Sequence, residues 1–89
     1  MLTDAIGFDK HLGAAYNLRG LARRSLGEPA AAIEDYTYLI ANIDPENADA
    51  YVNRATARMD LGPAERRGAL QDLGRAIELK PDLAVAYLH

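Results

Sequence analysis

The segment Tyr16-Asn17-Leu18-Arg19-Gly20-Leu21-Ala22-Arg23 returns 35 residues later as Tyr51-Val52-Asn53-Arg54-Ala55-Thr56-Ala57-Arg58. A tyrosine, an arginine, an alanine and a second arginine recur in register. The match continues downstream, where Ala32-Ile33-Glu34-Asp35-Tyr36 aligns with Ala69-Leu70-Gln71-Asp72-Leu73. Ile43-Asp44-Pro45 then aligns with Leu79-Lys80-Pro81, and Ala50-Tyr51 with Ala86-Tyr87. A period of this length constrains the fold strongly. Each unit is too small to bury its own apolar face, so it must stack on its neighbours.

The units are helical. Alanine and leucine dominate, and no alternating strand pattern appears, so propensity favours helix. Four breaks interrupt the chain: Gly27-Glu28-Pro29, Asp44-Pro45, Gly62-Pro63 and Lys80-Pro81. Three-and-four spacing of apolar residues predicts helices over 13–26, 29–42, 48–61 and 65–79, with another beginning near 83. In the second helix Ile33, Tyr36, Leu39, Ile40 and Ile43 form the stripe; in the fourth it is Leu70, Leu73, Ala76, Ile77 and Leu79. Connections this short make neighbouring helices antiparallel. Small residues stand where helix backbones must approach: Gly20 and Ala32 in the first pair, Ala55 and Ala69 in the second. Residues 1–10, Ala5-Ile6-Gly7-Phe8-Asp9-Lys10 above all, look like the tail of an earlier second helix. The predicted organisation is that tail, a unit over 13–47, a unit over 48–82, and the start of a third over 83–89.

Tyrosine, then Arg-Gly or Arg-Ala, then Leu-Gly, Ala, and Tyr or Leu, closing on a proline, resembles the tetratricopeptide repeat. The resemblance covers nearly the whole chain. It implies an all-α solenoid of antiparallel helix–turn–helix units. The chain departs from the family's 34-residue period. One extra residue falls near Ile40–Ile43, and two fall in the Pro63–Gly68 segment, where they should lengthen the turn or the start of the fourth helix.

The resemblance further implies a concave surface that holds peptides or partner helices, lined by the first helix of each unit. Matched residue by residue, the first unit supplies Ala14, Asn17, Leu18, Leu21 and Arg24. The second supplies Asp49, Val52, Asn53, Thr56, Met59 and Asp60, and the third Val85, Leu88 and His89. The family's carboxylate clamp for chaperone C-termini is not expected. Of the five positions it needs, only Asn53 carries the required residue. Asn17, Leu21, Val85 and His89 occupy the others, and an anionic terminus needs paired positive charge to offset its desolvation.

Composition excludes several alternatives. The formal net charge is −3 over 89 residues, against the basic excess of nucleic-acid binders. No run approaches the roughly 18–20 apolar residues of a membrane helix. The opening Met1-Leu2-Thr3-Asp4 lacks the basic-then-apolar order of a signal peptide. There is no cysteine, so disulfides, thiolate metal sites and a cysteine nucleophile are excluded together. These features point to the cytoplasm. No phosphate-binding glycine loop or nucleophile elbow is present, and no cofactor or metal is expected.

Individual candidates read as structural. His11, placed in an inter-helix turn, and the final His89 lack companion metal ligands. Glu34 and Asp35 are adjacent and diverge on a helix, so they do not form a catalytic carboxylate pair. Arg19 with Arg23, and Arg54 with Arg58, share helix faces. They form either a basic stripe for an acidic partner or, as the 13 acids against 10 bases favour, ion pairs with Glu34, Asp35, Asp60 or Asp72. Arg66 and Arg67 read as a solvated loop. Tyr16, Tyr51 and Tyr87 recur as packing residues; Tyr36 should face the core and Tyr38 need not.

A non-catalytic module for a peptide or partner helix is therefore the leading expectation. Self-association is the second, because mid-repeat ends should expose Leu2, Ile6 and Phe8 on one side and Tyr87 and Leu88 on the other. Such ends also suit a piece of a longer array. An RNA-binding helical repeat is the third, disfavoured by the acidic balance.

Overall fold

The computed structural model describes the backbone of residues 2–82 and the side chains of residues 11–82. Within them the chain is all-helical: α1 (Leu2–Ser25), α2 (Pro29–Tyr38) running into a π-helical turn (Leu39–Ile43), α3 (Ala48–Leu61), a 3-10 turn (Pro63–Glu65) and α4 (Arg66–Leu79). The predicted helix near 83, and with it Val85, Tyr87, Leu88 and His89, lies outside the described residues. So do the side chains of Leu2, Ile6 and Phe8.

Each helix ends for a local reason. At the end of α1, Gly27 takes φ 80°. This lets the Glu28 N–H donate to the Arg23 carbonyl at 2.8 Å and the Gly27 N–H to that of Arg24 at 3.0 Å, the paired closure of a Schellman motif. Pro29 then opens α2, where its missing N–H costs nothing. The Asn47 side chain caps α3 by accepting from the Ala50 N–H at 3.0 Å. Gly62, at φ 130°, ends α3.

Two boundaries differ from expectation. No break occurs near residues 11–12: α1 runs through it, and His11 is an exposed residue of that helix rather than of a turn. Lys10 stands where the later copies have proline, so neither a lost N–H nor a ring clash stops the helix. The second helix does not stay α-helical to residue 42. From Leu39 it widens to a π turn, closed by the Asp44 N–H donating five residues back to the Leu39 carbonyl at 2.8 Å. A π turn is the form in which a helix absorbs one inserted residue, and the extra residue of the first unit lies here. The Pro63–Gly68 segment, where the two extra residues of the second unit fall, holds the 3-10 turn Pro63–Glu65 and the first residues of α4.

Successive helices run antiparallel. Along the α1–α2 contact, Gly20 meets Tyr36 while the earlier Gly13 meets the later Ile43. Along α3–α4, Arg58 reaches Gly68 and Arg54 reaches Asp72. α2 lies between α1 and α3. The core has two clusters. Ala32, Tyr36 and Ala57 pack with Ile33, and Leu39, Ile40 and Ala50 pack with Tyr16 and Tyr51. Tyr38 is half exposed and stacks on Tyr16, ring centroids 4.8 Å apart. Leu70 departs from its predicted place in the buried stripe. It is 58 % exposed, because α4 is covered by α3 on one side and by no further described helix on the other.

Candidate functional site

The first helices of the two units, α1 and α3, share a surface, and their repeat spacing decides what meets across it. Asn53 Nδ2 donates to Asn17 Oδ1 at 2.8 Å. Further along, Arg24 Nε donates to Asp60 Oδ2 at 2.5 Å and Nη2 to Oδ1 at 3.4 Å. Both pairs join residues 36 apart. Leu18, Leu21 and Met59 are exposed beside them. Val52 and Thr56 are half-buried, and the Thr56 hydroxyl donates to the Val52 carbonyl at 3.0 Å. Ala14 and Asp49 are exposed, Asp49 in the first turn of α3, where a negative charge suits the helix dipole.

The amide pair has a definite hydrogen-bonding capacity. One amide group's NH2 points to the other's carbonyl, so in either orientation one NH2 group and one carbonyl oxygen stay free to bond elsewhere. The Arg24–Asp60 pair is charge-neutral, and both side chains are 38 % exposed. Sequence reasoning placed Asn17, Arg24, Asn53 and Asp60 on this surface but did not pair them. The offset between partners, one repeat plus one residue, is set by the stagger of α3 against α1.

The four arginines at repeat positions do not form a free basic stripe. Arg19 donates to Asp35 Oδ1 at 2.6 Å through Nη2, with Arg23 adding a bond at 3.3 Å. Arg54 grips Asp72 at 2.7 and 3.0 Å, and Arg58 joins at 2.9 Å. Both aspartates are buried. Hydrogen bonding to Asp35 raises the Arg19 pKa, against a smaller lowering from desolvation. Arg19 and Arg54 also lie over the rings of Tyr16 and Tyr51, at 5.1 and 5.5 Å. The same side-chain assembly is thus built twice. Of the predicted acids, Asp35 and Asp72 do the neutralising; Asp60 serves Arg24.

The Tyr36 ring is fully buried in the first helix pair, and its hydroxyl has no hydrogen-bond partner among the described residues. Burial raises the phenol pKa, with Arg24 pulling weakly the other way. Among the described residues no group of three or more histidine, aspartate or glutamate side chains is placed to hold a metal ion, and no helix is long and apolar enough to cross a membrane.

No family model matches the chain, and no solved structure matches it. It is 42 % identical over 65 residues, 73 % of its length, to "Tetratricopeptide repeat protein 36" of Homo sapiens. The aligned region spans about a third of that relative. The chain is an all-α helical repeat, and this likeness supports a tetratricopeptide-like one.

Proposed function

We propose that the chain is a non-catalytic protein-binding module that holds a segment of a partner protein, extended or helical, on the α1–α3 surface. The observation that carries this is the Asn17–Asn53 amide pair flanked by the exposed Leu18, Leu21 and Met59. Its free NH2 and carbonyl match the carbonyl and N–H of a peptide backbone. The leucines and methionine offer apolar contact, and methionine adapts to varied shapes. A protein partner suits this face better than a nucleic acid, since its one charged pair, Arg24–Asp60, neutralises itself. The likeness to a repeat protein supports a scaffold role at the coarse level.

The test is selection of binders from a displayed peptide library, followed by calorimetry on the chain and two variants. Asn53→Ala should weaken a selected peptide about fivefold, the loss of about one net hydrogen bond. Leu21→Ala, which trims an exposed contact, should weaken it by a similar factor. Peptides that bind both variants as tightly as the parent would sink this assignment of the surface.

A further inference from the structure

We infer that two copies of this chain stack head to tail, with α1 of one copy seated on α4 of the other as α3 sits on α2 within one chain. The surfaces involved adjoin the α1–α3 binding face, since Leu18 lies between Ala15 and Ala22 on one side of α1 and Met59 lies beside Leu70; the test reads mass rather than peptide binding and so separates the two.

The α2–α3 contact is the template. On its α3 side, Ala50 and Ala57 are fully buried; on its α2 side lie Ile33, Tyr36 and Ile40. The repeat places equivalents of both sides on the outside of the molecule. Ala15 and Ala22 stand 35 residues before Ala50 and Ala57, at the same positions of α1, and both are exposed. Leu70, Leu73 and Ile77 stand at the positions of Ile33, Tyr36 and Ile40 on α4. Leu70 is 58 % exposed, and Leu73 and Ile77 are half-buried where their counterparts Tyr36 and Ile40 are buried. Among the described residues, one side of the molecule therefore presents an alanine-lined helix face, and another, most openly at Leu70, presents the apolar helix face that such alanines cover; Ala86, which the repeat aligns with Ala50, lies outside the described residues. Small side chains let the helix axes approach until the larger residues interlock.

One cross-contact of the template is lost. Arg54 donates to Thr37 across α2–α3 at 3.2 Å, and Gly74 occupies the Thr37 position on α4. The intermolecular contact therefore lacks that hydrogen bond, and it also joins two free molecules rather than tethered helices, so it is weaker than its template. Because the two faces differ, the contact is heterologous, and further copies can add at either end.

Light scattering on the full chain tests this over a roughly hundredfold concentration range. The mass should rise above 9.7 kDa as concentration increases. Ala22→Glu spoils the α1 face and Leu70→Glu the α4 face. Both positions are exposed, so the variants should fold with unchanged far-ultraviolet circular dichroism. Ala15→Glu provides a second α1 variant. Each variant alone should associate at least about tenfold more weakly, because a carboxylate would be buried without a partner. Mixed together, Ala22→Glu and Leu70→Glu retain one intact face each and should form a 1:1 pair that grows no further. A parent chain that stays monomeric throughout overturns the inference and leaves the α4 face to a different partner. Variants that associate as the parent does, or a mixture that stays monomeric, overturn it equally.

Discussion

Gly20 lies beneath the ring of Tyr36 with space for a hydrogen and nothing larger: a Cβ there would fall 2.5 Å from Cε1 and 2.6 Å from Cζ. The ring cannot retreat, since it is fully buried. The second unit solves the same contact differently, with Ala55 at the glycine position and Leu73 at the tyrosine position. A large ring goes with no side chain in one unit, and a smaller residue goes with a methyl in the other. This is compensating volume at a helix crossing.

Gly20→Ala is accordingly expected to destabilise the chain. Overpacking costs about 1–3 kcal/mol, and relief of glycine's backbone entropy returns about 0.5–1 kcal/mol, so the net loss is about 0–2.5 kcal/mol, centred a little above 1 kcal/mol. The double variant Gly20→Ala/Tyr36→Leu recreates the second unit's pair. It should be more stable than the sum of the two single changes by about 1 kcal/mol or more. Urea unfolding of the four chains measures this, and additive effects would show that the two residues do not compensate.

Removing only the Tyr36 hydroxyl should help rather than harm. It is buried without a partner among the described residues, and an unsatisfied buried polar group costs about 1–3 kcal/mol. Tyr36→Phe should therefore match the parent at neutral pH or exceed it by up to about 1 kcal/mol. The pH dependence follows the same group. Its folded pKa is raised by burial, so the native state binds the proton more tightly than the unfolded state. The stability this represents is complete below the ordinary phenol value near about 10 and falls as the pH rises above it. Tyr36→Phe should lose less stability than the parent between neutral and strongly alkaline pH. Equal losses would place the alkaline sensitivity elsewhere.

The duplicated Arg–Asp assemblies should differ in what they cost to break. Asp72 faces Arg54 and Arg58, whose side chains are 14 % and 23 % exposed. Asp35 faces Arg19 and Arg23, at 54 % and 33 %. Removing an aspartate strands its arginines, and only the exposed ones can turn to water. Asp72→Ala should cost about 3 kcal/mol, as for a buried pair that loses one partner. Asp35→Ala should cost about 1 kcal/mol, since solvent screens and rehydrates Arg19. Chemical denaturation gives both values, and the reverse order would refute this reading of the burial.

The parts of the fold legible in the sequence were those set by local chemistry. Helix α3 spans Ala48–Leu61 as its pattern predicts, because Asn47 and Gly62 bound it with side-chain and backbone effects that need no tertiary context. The aspartates holding the repeat arginines were likewise among the named candidates, since charge balance and helix register sufficed. What the sequence obscured depended on neighbours or on a missing residue. The continuity of α1 past Lys10 turns on the absence of proline. The exposure of Leu70 depends on which helix lies over α4, which its apolar spacing cannot reveal. The Asn17–Asn53 bond needs the stagger between units, a tertiary quantity.

The π turn gives the last prediction. In the first unit one residue exceeds the 34-residue family period, and the chain accommodates it at Leu39–Ile43, with Ala41 and Asn42 exposed on the wide turn. Leu39 and Ile40 at its start are core residues, held against Ala50. Deleting Ala41 leaves those two residues in register with α2 and lets the turn tighten to an α-helical one. The change rotates only Asn42 and Ile43, and of these Ile43 is half-buried against Gly13. The expected outcome is a folded chain within about 1 kcal/mol of the parent, the scale of a small core shift. Deleting Thr56 from the middle of α3 is the contrasting case. Every following residue of that helix would turn by about 100°, carrying Ala57 out of the core and Arg58 away from Asp72. That chain should lose its cooperative thermal transition. If deleting Ala41 unfolds the protein as thoroughly as deleting Thr56, the wide turn is part of the packing rather than the place where an inserted residue is absorbed.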